Sequence, residues 1–414
     1  MEDMQLLVRP KPFLDESLES YLLRLAEANF IESYRLLSGA VKEWLLEQDH
    51  EAGGAFPLDL ATANIWHARQ SSSFRIRAFS LLEKLTDNED LPLLALSLRH
   101  SAADFCGGYR ALARGGVHIP RCFIRKSTIP VCPLCLSENI YIPQAWHYQA
   151  YTACVRHGVK LIDKCPSCGE SLSYLESEMI GSCRCGYDLS LAQTIQADEK
   201  NILLGKLITC EETEFPGPLG YMSSISIRNA ALLYYCIISS VNVEDELEVY
   251  ESLLLAMDFY ASWPFRFKEI LSESFDKANE ILIRPYNKTP ISFAIGSCLP
   301  ASTMIKGMRQ EENFILSELF GCLKNIVENN PKSRVGNRGD MLLTIVEAAV
   351  LLRTTHEQIY LLLESGYLKA AGRIKIHQKV SPHEPTFYLR QVVELAESRM
   401  PSDFGVVATY LPHR

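Results

Sequence analysis

The chain has 414 residues, 47% hydrophobic and 22% charged, the proportions of a globular protein with apolar mass for two or three domains. Its 41 basic and 50 acidic residues leave a net charge of −9, which excludes a molecule that grips nucleic acid with its whole surface and confines such contact to a local patch. No apolar run reaches membrane-spanning length, since LLYYCIISSV at 232–241 is about half of what a bilayer requires. The start, MEDMQLLVRPK, has no secretory pattern, so a cytoplasmic, reducing compartment is expected.

Pro10 and Pro12 keep the first residues extended. Asp15 is placed to cap a helix on which Leu18, Tyr21, Leu22, Leu25 and Ala28 form one stripe, with the charged residues toward water. A second helix is predicted after Ser33, carrying Leu36, Leu37, Val41, Trp44 and Leu45, and further ones near 59–69, 73–85 and 90–99. Residues 1–105 therefore read as a small helical domain. It either contains a helix-turn-helix or is a bundle making only protein contacts, and the lack of a basic recognition face favours the bundle.

Residues 106–190 change character. The stretch at 106–130 holds Arg110, Arg114, Arg121, Arg125 and Lys126 and no acidic residue. Such a patch could contact phosphate or a nucleoprotein, or be a solvated face balanced by acids elsewhere in the fold. Directly after it come CPLC at 132–135, CVRH at 154–157, CPSC at 165–168 and CRC at 183–185. Paired soft ligands separated by a loop are the pattern of structural zinc, whose four-coordinate shell leaves no position for water. Cys132, Cys135, Cys154 and His157 are expected to hold one zinc ion, and Cys165, Cys168, Cys183 and Cys185 a second. An interleaved use of the four pairs stays open. His147 is an alternative to His157, which is preferred because Cys-x-x-His repeats the two-residue gap of CPLC and CPSC. Trp146, Tyr148 and Tyr151 could stack bases, but roofing a small metal domain is the default role. The dispersed Cys106, Cys122, Cys210, Cys236, Cys298 and Cys322 read as core residues.

A Pro- and Gly-rich loop, EFPGPLGYMSS at 214–224, marks a boundary. Residues 191–335 read as a helical domain, with helices at 227–241, 244–262, 265–283 and 308–329, followed by a polar linker at 331–340. Acids at Glu244, Asp245 and Glu246 sit where a helix dipole favours them. In the last segment, 341–400, Thr344 with Glu347 and Thr354 with Glu357 read as two capping boxes opening two short helices, and Gly366 ends the second. Residues 372–389 alternate like a hairpin, and a final helix starts near Arg390. The segment resembles a winged helix of the excisionase or MerR type. In such a fold His356 and Gln358 would face a groove, while Arg373 and Lys375, with His377 and Lys379, would form the wing. Glu357 and Glu364 on the same helix favour a docking or dimerisation role instead.

No H-E-x-x-H, phosphate loop or G-x-S-x-G elbow occurs, so an enzyme is not expected. Two stretches carry a family resemblance. WHYQAYTACVRHGVKLIDKCPSC, with CPLC upstream, resembles the zinc-binding core of the TniQ family, which is related to TnsD. PKPFLDESLESYLLRLAEAN at 10–29 resembles that family's opening signature. The departures are Tyr21, where tryptophan is expected, and Phe30, where glycine is common. The resemblance covers about 1–190 and implies a bacterial adaptor for DNA transposition, in which the N-terminal helices are described as a helix-turn-helix. Its implied partners are a guide-RNA surveillance complex of the CRISPR Cascade kind, the transposon AAA+ ATPase regulator and, indirectly, target DNA, with a homodimer expected. A TnsD-like direct reader of an attachment site, or a zinc-containing winged-helix transcription regulator, are the alternatives. The expected architecture is mainly α and multidomain: N-terminal helices, a central double zinc module, a helical spacer and a C-terminal winged helix-turn-helix.

Overall fold

The computed structural model describes residues 6–68, 70–87, 91–306, 308–372 and 380–398. It is mainly helical, with seventeen α-helices and five short strands among the described residues. The buried apolar side chains form one continuous cluster from Leu6 to Ala396.

The N-terminal helices are α1 (Leu18–Ala28), α2 (Tyr34–Gln48), α3 (His50–Ala55) and α4 (Ser72–Thr86). Helix α1 buries Leu18, Tyr21, Leu22 and Leu25 as the stripe requires. Its cap is Ser17, whose hydroxyl accepts from the Ser20 amide, while Asp15 accepts from the Tyr141 hydroxyl at 3.0 Å. Not every charge on it faces water, since Glu19 is 4% exposed. The helix ends in a double turn in which the amides of Phe30 and Ile31 donate to Glu27 O and Ala26 O. Phe30 holds φ at 58° there, which accounts for glycine being common at this position. Leu36, expected in the core, is 57% exposed.

The predicted helices at 59–69 and 90–99 are instead single 3₁₀ turns at Leu60–Thr62, Ile65–His67 and Leu93–Ala95, the last leading into β1 (Arg99–Asp104). With β2 (Arg110–Arg114) and β3 (Val117–Pro120) it makes an antiparallel sheet in the order β1-β2-β3. Gly115 and Gly116, both at positive φ, turn the second hairpin.

Around the metal clusters the chain is mostly loop, with α5 (Pro133–Glu138) and α6 (Tyr174–Ser177). Beyond them lie α7 (Glu199–Thr209), α8 (Pro218–Tyr221), α9 (Ile225–Ile238), α10 (Glu246–Ala261), α11 (Phe265–Glu280), α12 (Ser292–Ile295), α13 (Cys298–Ala301) and α14 (Phe314–Asn329). Helix α9 is buried nearly all round and packs on β3, α7 and α10. Its Arg228, 0% exposed, donates to the carbonyls of Leu207, Cys210, Glu211 and Met222, closing the end of α7.

At the C-terminal end β4 (Leu342–Leu343) precedes α15 (Ile345–Leu351) and α16 (His356–Glu364), and β5 (Phe387–Tyr388) precedes α17 (Leu389–Ser398). Thr344 and Glu347 form the predicted capping box. The second helix is capped one residue later than predicted, by Thr355, which accepts from the Gln358 amide. The hairpin expected at 372–389 does not pair within itself at its described end, because β5 pairs with β4. Arg373, Lys375, His377 and Lys379 lie outside the described residues.

Candidate metal centres

Four local turns bring the metal ligands together. Cys132 caps α5, with Pro133 in its first turn, and Cys135 follows on the same turn. The other three pairs are tight knuckles of one design. The amides of Gly158, Gly169 and Gly186 each donate at 2.8 Å to the carbonyl of the pair's first cysteine, Cys154, Cys165 and Cys183. The same cysteines donate their own amides to Val159 O, Glu170 O and Tyr187 O. Each glycine sits at positive φ, between 68° and 84°, where a Cβ would be strained. These glycines follow the second ligand of each pair, a regularity the ligand spacing alone does not call out.

The turns converge as two separate groups, Cys132, Cys135, Cys154 and His157, and Cys165, Cys168, Cys183 and Cys185, with the ligand atoms of each within 4.8 Å of one another. Among the described residues these are the two groups of this kind, and no interleaved pairing occurs. In the first, His157 Nδ1 lies 3.6, 3.3 and 3.5 Å from the sulfurs of Cys132, Cys135 and Cys154, and Cys135 Sγ lies 3.6 Å from Cys154 Sγ. In the second, Cys165 to Cys185 is 3.7 Å and Cys168 to Cys183 is 3.6 Å. Metal–sulfur bonds of about 2.3 Å in a tetrahedron place ligand atoms about 3.8 Å apart, so the spacings and the soft donor set fit a tetrahedral ion of zinc's size.

The other nitrogen of His157, Nε2, faces Glu138 Oε1 at 3.1 Å, and Arg156 pairs with the second oxygen of that carboxylate at 2.8 Å. The carboxylate fixes the ring so that Nδ1 presents its lone pair to the cluster. Glu138 escaped the sequence reading; its place on the turn after Cys135 was the available signal.

His147 takes no part in either cluster. It is 5% exposed, and its Nε2 lies 2.9 Å from the Tyr174 hydroxyl, which in turn lies 2.9 Å from Ser17 Oγ. Burial pushes its pKa down to about 3, helped by Arg114 and Arg125. Trp146, at 1% exposed, is core rather than a stacking surface.

This network continues into the opening signature. Glu16, Ser17 and Ser20 are 0% exposed. Ser17 donates its amide to Ile142 O, Ile142 donates to Ser20 Oγ, and Gln144 donates to Asp15 O. Glu16 accepts from Arg24 at 2.7 Å and from Ser20; burial nonetheless raises its pKa, with Arg24 opposing. Glu19 accepts from Asn64. The conspicuous acids and serines at 15–20 are thus a seam joining α1 to the metal-bearing segment.

The basic stretch is largely spent on the fold. Arg114 donates to Leu14 O, Glu16 O and Gln144 Oε1, Arg125 donates to Gln149 O and Tyr151 O, and Lys126 pairs with Glu244 at 2.6 Å. Arg110 is exposed on β2, and the Arg121 guanidinium lies over the Trp66 ring, 5.1 Å from its centroid. At the other end of the chain His356 is exposed at the start of α16 and Gln358 is half-buried. No helix among the described residues is long and apolar enough to cross a membrane.

In a comparison with protein-family models, residues 7–161 match TniQ. The matched segment takes in α1 to α5, the three-stranded sheet and all four members of the first cluster, and stops short of the second. No curated protein matches the chain.

Proposed function

We propose, from the match of residues 7–161 to the TniQ family, that the chain is a targeting adaptor for DNA transposition rather than an enzyme. It holds a guide-RNA surveillance complex of the Cascade kind at target DNA and recruits the transposon AAA+ ATPase regulator, and through it the transposase. The observation that carries this reading is the family segment itself, which encloses a complete four-ligand cluster.

Both clusters are read as structural zinc sites. Bound zinc supplies folding free energy, because the ligands are scattered in the unfolded chain and gathered only in the folded one. The chain's own residues do the rest: the glycine turns present the sulfurs, Glu138 orients His157, and the Ser17–Tyr174–His147 network fastens α1 to the result. An adaptor acts through surfaces, and a rigid core serves that task.

The guide-RNA route is favoured over direct reading of an attachment site by charge. A direct reader must neutralise several phosphates, whereas the net charge is −9 and Arg114, Arg125 and Lys126 are engaged within the fold. Operation as a homodimer in the bacterial cytoplasm belongs to the same proposal.

The test is to purify the tagged protein from cells that also express the neighbouring genes, with and without nuclease, and to assay for stoichiometric guide RNA. Retention of RNA and surveillance subunits at moderate salt supports the adaptor. A protein that emerges free of RNA and binds one specific duplex replaces it with the direct reader or the regulator.

A further inference from the structure

Among the described residues of this acidic chain, the turn around Trp66 gathers basic side chains that form no ion pairs. The 3₁₀ turn Ile65–His67 is tied to the strand before β1: Trp66 donates its amide to Leu98 O at 3.1 Å, and Leu98 donates to Asn64 Oδ1 at 2.7 Å. This sets the turn beside Arg99 and His100, both exposed on β1. From the far side of the sheet, just after β3, Arg121 lies over the Trp66 ring, and the His67 ring lies 3.7 Å from Trp66, centroid to centroid. Arg75 of α4 approaches beneath, donating to the carbonyls of Thr62 and Asn64.

Among the described residues none of Arg75, Arg99, His100 and Arg121 is in an ion pair, and the Arg121 guanidinium donates no hydrogen bond, its carbonyl alone accepting from the Ile124 amide. Glu244 feels the charge of Arg121 as well as that of Lys126, and its ion pair is with Lys126. His67 registers the field: burial, and then Arg75, Arg121 and His100, push its pKa down to about 4, with no acid opposing them. Cations assembled without acids repel one another. The arrangement makes sense where an anion completes it, and Trp66 fixes the planar guanidinium so that its free edge is presented.

We propose that the Trp66–His67 turn, His100 and Arg121 form a binding site for the phosphodiester backbone of a single-stranded nucleic acid. The size of the site argues for a single strand. A duplex footprint of roughly six to ten phosphates needs a long basic track, and here the uncompensated groups span one turn and the adjoining strand ends. The site is independent of recruitment by a surveillance complex, because it predicts binding by the isolated chain.

The test is fluorescence anisotropy with the full-length, zinc-loaded protein and labelled strands of roughly 16 nucleotides: single-stranded RNA, single-stranded DNA of the same sequence, and the matching DNA duplex. Titrations run at about 50 and 150 mM salt. Both single strands, or one of them, should bind more tightly than the duplex, and a preference for RNA or DNA identifies the source of the phosphodiester. Arg121→Gln and His100→Gln should each weaken binding by about tenfold, and Arg121→Gln should also flatten the salt dependence by about 0.7 for the phosphate no longer neutralised. Lys126→Gln, which removes a charge already paired, should not. Because His100 is exposed on β1, its variant decides the matter if Arg121→Gln fails to fold. The duplex binding most tightly, no strand binding at the lower salt, or His100→Gln binding like the parent would each overturn the assignment. None of these outcomes depends on whether guide RNA co-purifies from cells.

Discussion

Replacing His147 with glutamine tests whether the seam around Tyr174 makes the protein sensitive to acid. In the folded chain His147 is enclosed, with its pKa pushed down to about 3 by burial and by Arg114 and Arg125. In the unfolded chain it titrates near its ordinary value of about 6.5. Between those values the unfolded state binds a proton that the folded state refuses, so the contribution of this residue is intact above about pH 6.5 and lost as pH falls. At about 1.36 kcal/mol per pH unit, the loss down to about pH 5 is about 2 kcal/mol, large against the roughly 5–15 kcal/mol that stabilises a typical domain. Urea unfolding of the parent and His147→Gln, each saturated with zinc, gives the change in stability from about pH 7 to about pH 5. Ligand cysteines protonate alike in both proteins, and any constant cost of altering the ring cancels between them. The parent should lose about 2 kcal/mol more than the variant over that interval. Equal losses would refute the reasoning.

Cys165→Ser breaks the second cluster and should lower bound zinc from two ions to one by elemental analysis; a variant that keeps both would sink the ligand assignment. Glu138→Gln removes the carboxylate behind His157 and should weaken the first site by about 10- to 100-fold in chelator competition, while the second site is unchanged. Phe30→Gly relieves a left-handed backbone worth about 1–2 kcal/mol against a backbone-entropy cost of about 0.5–1 kcal/mol. The melting temperature should therefore rise slightly, and a fall would show that the exposed Phe30 ring contributes more than its backbone costs.

What the sequence disclosed about this site follows from how local each signal is. The metal ligands were readable because they come as pairs with one or two residues between them, and the knuckles that present them are closed by bonds within five residues of each cysteine. The sheet was not readable from its strands: RALAR and VHIP are short and bury neighbouring rather than alternating residues, and only the Gly115–Gly116 turn announced a hairpin. Cap positions slipped by one or two residues because adjacent side chains can each serve, and distant partners decide among them, as Tyr141 does in engaging Asp15. The same distance hid the fate of the charges. Glu19 accepts from Asn64, 45 residues away, and Lys126 pairs with Glu244, 118 residues away, so neither could be assigned from its neighbours.

The seam at 15–20 has a consequence for how such proteins can recombine. A crossover placed at the sheet, between the first helices of one chain and the metal segment of another, would set Glu16, Ser17 and Ser20 against a foreign 141–178. Polar contacts across that seam, matched to 2.7–2.9 Å, tolerate such exchange poorly, and Tyr34 would be deprived of Glu178 at its amide as well. Viable chimaeras should therefore inherit 10–178 as one block, with breakpoints permitted only downstream.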